Sequence, residues 1–149
     1  MLFFTELLSL FARYHPMKIV VQNGIQHCFS RKEIEAMVQL FPVSWSRNVK
    51  TVLLGTTNKT GMTITFYPKS QTLYVTCPSQ GIRPSKVDAI EALLVTLAII
   101  DETGSLPKKI SSSVRAHALA ITSELAQSCI QLVGLEKTNN SISSETKTP

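Results

Sequence analysis

The chain has 149 residues, of which 44% are hydrophobic and 17% are charged, and its formal net charge is +5. This length and composition indicate one globular domain and exclude a disordered or fibrous chain. The basic balance favours acidic partners such as nucleic acids, but the Lys and Arg residues are scattered in ones and twos and form no basic tail.

The three cysteines, Cys28, Cys77 and Cys129, lie far apart in the chain and have no CxxC spacing. Each lies next to or within an apolar pattern, where a free cysteine behaves as a small hydrophobic residue. We therefore expect neither a disulfide scaffold nor a zinc knuckle, and we place the protein in a reducing cytoplasm.

Residues 1–16 form an apolar leader that lacks the basic segment and cleavage site of a signal peptide. The apolar stretch is too short to span a bilayer, so we expect no transmembrane segment. Two interpretations stay open: an amphipathic helix, or an over-long start with Met17 as the natural first residue. The apolar residues on one side of such a helix are Leu2, Phe3, Leu7, Leu10 and Phe11.

Two short apolar stretches, Lys18–Gln22 and Ile25–Phe29, flank an Asn23-Gly24 pair. This pair is the preferred one for a two-residue type I′ turn. The sequence therefore predicts a β-hairpin at this position.

A helix is predicted to begin after Ser30. Ser30 and Glu33 have the spacing of a capping box, and Phe29 with Ile34 has the spacing of a hydrophobic staple. The helix is expected to end shortly before Pro42, because proline cannot continue it.

Three strands are predicted next. Val49–Gly55 has the apolar character of a buried strand, and Met62–Tyr67 and Thr72–Cys77 form a second hairpin with a clean alternation of side chains. One face of this hairpin carries Met62, Ile64, Phe66, Leu73, Val75 and Cys77, and the other carries Thr63, Thr65, Tyr67, Thr72, Tyr74 and Thr76. The first face is expected to pack on the core and the second to contact water or a partner.

Lys86–Glu102 is a helix-length segment that is apolar nearly all round, so it is predicted to be the buried centre of the domain. Ser85 is its predicted cap, and the helix is expected to end near Gly104. Glu91 is one of the few polar residues in this segment. We interpret it as a possible buried acid that needs either a polar strip or a base such as Arg115.

A last helix is predicted to open at Ser111–Ser113 and to end at Gly134. Its expected core stripe is Val114, Ala118, Ile121 and Leu125. The chain thus divides into the leader 1–16, one globular domain 17–134, and a polar tail 135–149 that is expected to be disordered. The order of elements predicts an α+β fold, with a small antiparallel sheet of four to five strands covered on one face by two to three helices.

No catalytic residue, metal ligand or cofactor is predicted. The histidines His15, His27 and His117 do not share metal-ligand spacing, HExxH is absent, and neither GxSxG nor a phosphate-binding glycine loop occurs. Cys28 follows His27 directly, and on an extended strand the two side chains would point to opposite faces. A local Cys–His pair is therefore not expected.

The favoured function is a small non-enzymatic protein-interaction or regulatory module that binds a protein partner or a second copy. Its candidate surfaces are the Thr/Tyr face, through Tyr67 and Tyr74, and any part of the N-terminal apolar helix that is left exposed. The alternative is a nucleic-acid-binding domain with the tyrosines as stacking partners. A third hypothesis is an enzyme with an unrecognised site. The cations of the nucleic-acid alternative are Lys59, Lys69, Arg83 and Lys86.

The order helix, three strands, helix resembles that of double-stranded-RNA-binding domains. The small residues and basic start of that family's second helix are matched by Gly81, Ser85-Lys86, Ala89 and Ala92. This resemblance implies a basic nucleic-acid-binding domain. Val87 follows Lys86, however, so the run of lysines that grips phosphates in that family is missing.

The same order of elements also resembles minimal zincins, in which the helix after the strands carries HExxH. Here that helix reads EALLVTLAIIDE and has no zinc-binding histidine. The resemblance therefore implies a degenerate, non-catalytic domain. We assign the chain to neither family.

Overall fold

The computed structural model describes residues 16–22, 27–82 and 84–145, with side chains as far as Gly134. Residues 1–15 of the predicted leader, residues 23–26 with the predicted Asn23-Gly24 turn, Arg83 and residues 146–149 lie outside this description. In chain order the elements are β1 (Lys18–Val21), α1 (Arg31–Val38), a 3₁₀ helix (Val43–Arg47), β2 (Thr51–Thr57), β3 (Thr63–Tyr67), β4 (Thr72–Pro78), α2 (Lys86–Thr103) and α3 (Ser112–Glu145).

The four strands form one sheet in the order β1-β2-β4-β3. The α+β class is confirmed, but the sheet is mixed rather than antiparallel: β1, β2 and β4 run parallel, and only β3 is antiparallel to its neighbour. Parallel neighbours need a long crossover connection. Here α1 and the 3₁₀ helix provide it between β1 and β2.

The predicted first hairpin does not form over its described residues. β1 pairs in parallel with β2, with Ile19 opposite Val52 and Val21 opposite Leu54. Residues 27–29 form no strand but a bend ahead of α1. Pairing with β2 packs β1 against the core, where Ile19 and Val21 lie among the partly buried apolar residues. An isolated two-stranded hairpin offers no such burial and is marginally stable at best.

Helix α1 begins as predicted. The Ser30 hydroxyl accepts a hydrogen bond from the Glu33 N–H at 3.1 Å, and the Glu33 carboxylate accepts one from the Ser30 N–H at 2.8 Å. This capping box satisfies two of the backbone donors that a helix start leaves unpaired. The helix ends at Val38, ahead of Pro42.

Helix α2 is the buried centre of the domain. Ser85 caps its start by accepting from the Asp88 N–H, and Gly104 ends it with a left-handed φ of 75°. Both caps are as predicted. The inner face of the sheet contributes to the same hydrophobic cluster through residues of β2 and β4 that are completely inaccessible to solvent: Val52, Leu54, Leu73, Val75 and Cys77.

Helix α3 is rotated relative to the prediction. Of the expected stripe only Ala118 is buried, whereas Val114 and Ile121 are 43% and 53% exposed. Small side chains face the core instead, because they allow a second helix to approach the bulky side chains of α2 closely. The buried residues of α3 are Ala118, Thr122, Ala126, Cys129 and Val133.

The backbone of α3 is helical as far as Glu145, beyond the predicted end at Gly134. The side chains after Gly134 lie outside the description, so the disordered tail stays a prediction. In the part of the chain that the structure covers, no helix is both long enough and apolar enough to cross a membrane.

The buried position of α2 predicts a large cost for creating a cavity there. Leu94 and Leu97 are 0% and 1% exposed, so replacing either with Ala should lower the free energy of unfolding by about 2–5 kcal/mol. Chemical denaturation measures this. Ile121→Ala is the matched control, because its exposed side chain should cost less than about 0.5 kcal/mol. Equal losses in all three variants would show that α2 is not the centre of the core.

Candidate functional site

The Thr/Tyr face of the second hairpin is formed as the alternation predicted. In the register of β3 and β4, Thr65 lies opposite Tyr74 and Tyr67 opposite Thr72, while Ile64 lies opposite Val75 on the core side. β2 extends this outer face of the sheet, and its Leu53 is level with Tyr74. Thr76 on this face is buried, the other residues of the hairpin face are half-exposed or exposed, and Tyr67, at the edge, is 50% exposed.

The two tyrosines have different surroundings. The Tyr74 ring lies across Gly55 of β2, where an added Cβ would come within 2.5 Å of the tyrosine hydroxyl and 2.7 Å of the Gln22 amide oxygen. The Gln22 amide donates to that hydroxyl at 3.4 Å. Tyr74 is therefore fixed across the middle of the sheet, whereas Tyr67 lies on the edge strand β3. Of the pair, Tyr67 is the more exposed side chain.

The close approach of Tyr74 to Gly55 can be tested by adding a methyl group. Gly55→Ala should cost about 1–3 kcal/mol of unfolding free energy, because the rigid ring must move away. The same substitution in a Tyr74→Ala background should cost much less, since only the end of the flexible Gln22 side chain then remains near the added methyl group. Thermal or chemical denaturation of the four proteins gives the coupling. Additive effects would mean that the ring does not occupy this space.

The predicted cations are not gathered around the tyrosines. Lys59 precedes β3 and Lys69 follows it, so a strand of five residues, roughly 16 Å long, separates them. Both lysines are exposed. Lys86 instead begins α2 in the helical layer, and Arg83 lies outside the described residues. Only Lys69 is close to Tyr67 in the chain.

Lys86 is paired with a buried carboxylate that the sequence did not single out for this role. Its ammonium group contacts Glu33, whose side chain is only 7% exposed. Burial alone would raise the pKa of Glu33, but hydrogen bonds from Lys86 and from the Ser30 N–H outweigh it and lower the pKa below its usual value. Through this ion pair, Glu33 links α1 to the start of α2.

Glu91, the buried acid expected from the sequence, is half-exposed. Among the described side chains it forms no ion pair with Arg115. Glu91 thus lies on a partly solvated side of α2, and among the described side chains the buried acid is Glu33.

The lowered pKa of Glu33 predicts acid sensitivity. The ionised carboxylate stabilises the fold above its unfolded pKa of about 4.5, and this contribution is lost as pH falls through the lower folded pKa. Glu33→Gln should cost about 1 kcal/mol at neutral pH and should flatten the loss of stability at acid pH. Glu35→Gln is the control, because Glu35 forms only an exposed pair with Arg31 at 3.4 Å. The measurement is the free energy of unfolding from pH 7 to pH 3. The same pH dependence in both variants would contradict this account.

A cluster of three potential ligands, which the sequence did not predict, lies where the bend before α1 meets the end of β4. It consists of His27, Cys28 and Cys77, whose ligand atoms all lie within 4.8 Å of one another. The His27 Nδ1 is 3.6 Å from the Cys28 sulfur and 3.9 Å from the Cys77 sulfur. The expectation that Cys28 and His27 could not meet is wrong, because residues 27–29 form a bend rather than a strand.

The hydrogen bonds of His27 indicate which of its two ring nitrogens carries the proton. The Phe29 N–H donates to Nδ1 at 3.1 Å, so Nδ1 carries a lone pair. The proton is then on Nε2, which lies 3.1 Å from the Val75 carbonyl oxygen and donates to it. The ring also stacks on Phe29 with a centroid distance of 5.9 Å. Nδ1 is therefore the ring nitrogen with the lone pair, and it lies 3.6 Å and 3.9 Å from the two sulfur atoms.

The two thiols of the cluster differ in acidity. A hydrogen bond with Cys28 lowers the pKa of Cys77, and the same bond together with burial raises the pKa of Cys28. Cys77 is completely inaccessible to solvent and Cys28 is 7% exposed. Cys129, on α3 outside this cluster, is a buried thiol whose pKa burial raises to about 11.

Only a three-dimensional arrangement brings this cluster together, since Cys77 is 50 residues from His27. One local signal was present in the sequence: an adjacent His-Cys pair ahead of a capped helix. Its partner could not be identified without the position of β4. Comparison with protein-family models, with curated proteins and with solved structures gives no match for this chain.

Proposed function

We propose that this protein is a small non-enzymatic interaction module that binds an extended segment of a partner protein along β3. The observation that carries the proposal is the free edge of this strand. β3 pairs with β4 on one side, and no described strand pairs with its other side. An unpaired edge presents backbone N–H and C=O groups in the pattern that another strand needs.

The composition of β3 supports this role. Proteins usually protect edge strands with charges, prolines or bulges inside the strand. β3 has the sequence TITFY, with none of these within its five residues. Pro68 and Lys69 follow it and limit strand addition to this short segment.

Tyr67 supplies the side-chain anchor. Exposed aromatic residues beside an open backbone edge give affinity and specificity, because they bury a large area with little loss of conformational freedom. Tyr67 is 50% exposed at the end of β3. Thr65, on the same face, is exposed and flanks the approach to the edge.

Nucleic acid is the second candidate. Lys69 lies two residues after the exposed Tyr67, and the chain carries a net charge of +5. A base stacked on Tyr67 beside a phosphate at Lys69 would use both. Lys59 is separated from Lys69 by the length of β3, and Lys86 is paired with Glu33. These two observations favour a protein partner instead.

The test is selection of extended peptides from a displayed random library on the full chain, followed by affinity measurement. Tyr67→Ala should weaken the selected peptides by about 30-fold or more, the loss typical of an aromatic anchor. Tyr74→Ala is the matched control, since that ring is already engaged with Gly55, and it should change affinity less than about threefold. Binding should slow amide hydrogen exchange in β3 and depend little on salt.

Two results would contradict the protein-binding proposal. One is that peptides bind but protect no amide of β3. The other is that the protein retains mixed-sequence RNA or DNA on filters at low salt. This retention would have to disappear at high salt and also in the Lys69→Glu and Tyr67→Ala variants. That pattern would assign the face to nucleic acid, because phosphate contacts release counterions and weaken steeply as salt rises.

A further inference from the structure

We propose that His27, Cys28 and Cys77 bind a thiophilic divalent metal ion, with zinc as the natural occupant, through Nδ1 and the two sulfur atoms. The proposal does not depend on the function of β3. It rests on the convergence of three ligand atoms within 4.8 Å. Thiolate and imidazole are the ligands that zinc prefers.

The distances fit a tetrahedral ion. Zinc lies about 2.3 Å from sulfur and about 2.0–2.1 Å from nitrogen, so at the tetrahedral angle a sulfur and a nitrogen ligand are about 3.6 Å apart. His27 Nδ1 lies 3.6 Å from the sulfur of Cys28 and 3.9 Å from that of Cys77. Both nitrogen–sulfur distances are therefore within a few tenths of an ångström of the value for a coordinated pair.

The second nitrogen of His27 is already arranged as in metal sites. A metal-binding histidine almost always donates its other ring N–H to a carbonyl or carboxylate, which fixes the tautomer and the orientation of the ring. Nε2 of His27 has this partner in the Val75 carbonyl oxygen at 3.1 Å. The ion would take the place of the Phe29 N–H at the Nδ1 lone pair.

The site would connect two distant parts of the chain. Cys77 lies in β4, and His27 and Cys28 lie in the bend that leads into α1. Binding releases the thiol protons of the two cysteines to solvent and forms two metal–sulfur bonds and one metal–nitrogen bond. Three protein ligands leave a fourth position for water or a small ligand.

The experiment uses the full chain, reduced with a phosphine and titrated with Co²⁺ as a spectroscopic substitute for Zn²⁺. We expect one ion per chain, an intense sulfur-to-cobalt charge-transfer band, and loss of this band when Zn²⁺ displaces the cobalt. Cys28→Ser, Cys77→Ser and His27→Gln should each weaken binding by more than about 10-fold. Cys129→Ser is the matched control: it removes an equally buried thiol outside the cluster and should leave binding unchanged.

A second measurement needs no variant and therefore does not depend on the folding of the cysteine mutants. Zn²⁺ should slow alkylation of Cys28 and Cys77 in the native chain, followed by mass spectrometry, without slowing that of Cys129. The proposal is overturned if cobalt gives no sulfur charge-transfer band. It is also overturned if zinc protects all three thiols equally, or if Cys28 and Cys77 form a disulfide under the reducing conditions of the titration.

Discussion

The burial of α2 is the constraint around which the remaining elements are arranged. Ten of its residues are buried, and they occupy all sides of the helix from Leu93 to Ile100. A helix that is apolar nearly all round cannot lie on a surface, so the fold must supply apolar neighbours on several sides. The sheet supplies one through the inner residues of β2 and β4, and α3 supplies another.

This constraint explains why α3 contributes small residues to the core. Because α2 already carries Leu and Ile side chains in its contact surface, Ala118, Thr122 and Ala126 on α3 allow close packing without overfilling it. The Thr122 hydroxyl donates to the Ala118 carbonyl at 2.7 Å, so its burial leaves no unpaired donor. Ile121 then faces outwards, whereas other large apolar residues such as Leu125 and Ile130 pack at the margin of the core.

The polar connection between α1 and α2 follows from the same packing. The start of α2 must approach α1, and Lys86 brings a charge into that contact. Glu33 neutralises it while also completing the cap of α1. One carboxylate thus satisfies the backbone of one helix and the charge of the next, which is why a nearly buried acid is tolerated here.

The parts of the fold that could be predicted from the sequence depend on residues a few positions apart. The capping box at Ser30, the left-handed end at Gly104 and the alternation of Thr72–Cys77 are of this kind. The pairing of β1 with β2 and the meeting of His27 with Cys77 depend on residues tens of positions apart. For the first of these, the burial gained when β1 pairs with β2 is a long-range effect that a local sequence pattern does not report.

The error in the first hairpin and the His27–Cys28–Cys77 cluster have one cause. On an extended strand His27 and Cys28 would have faced opposite ways, but the bend at residues 27–29 directs both towards the end of β4. Neighbouring residues of β4 point to opposite faces. Cys77 therefore faces the core side of the sheet. Thr76 faces the outer side, where its hydroxyl forms a hydrogen bond with the hydroxyl of Thr63 on the edge strand. An ion held by Cys77 would fix the same part of β4 that positions β3, so the cluster and the proposed binding edge are physically linked through a single strand.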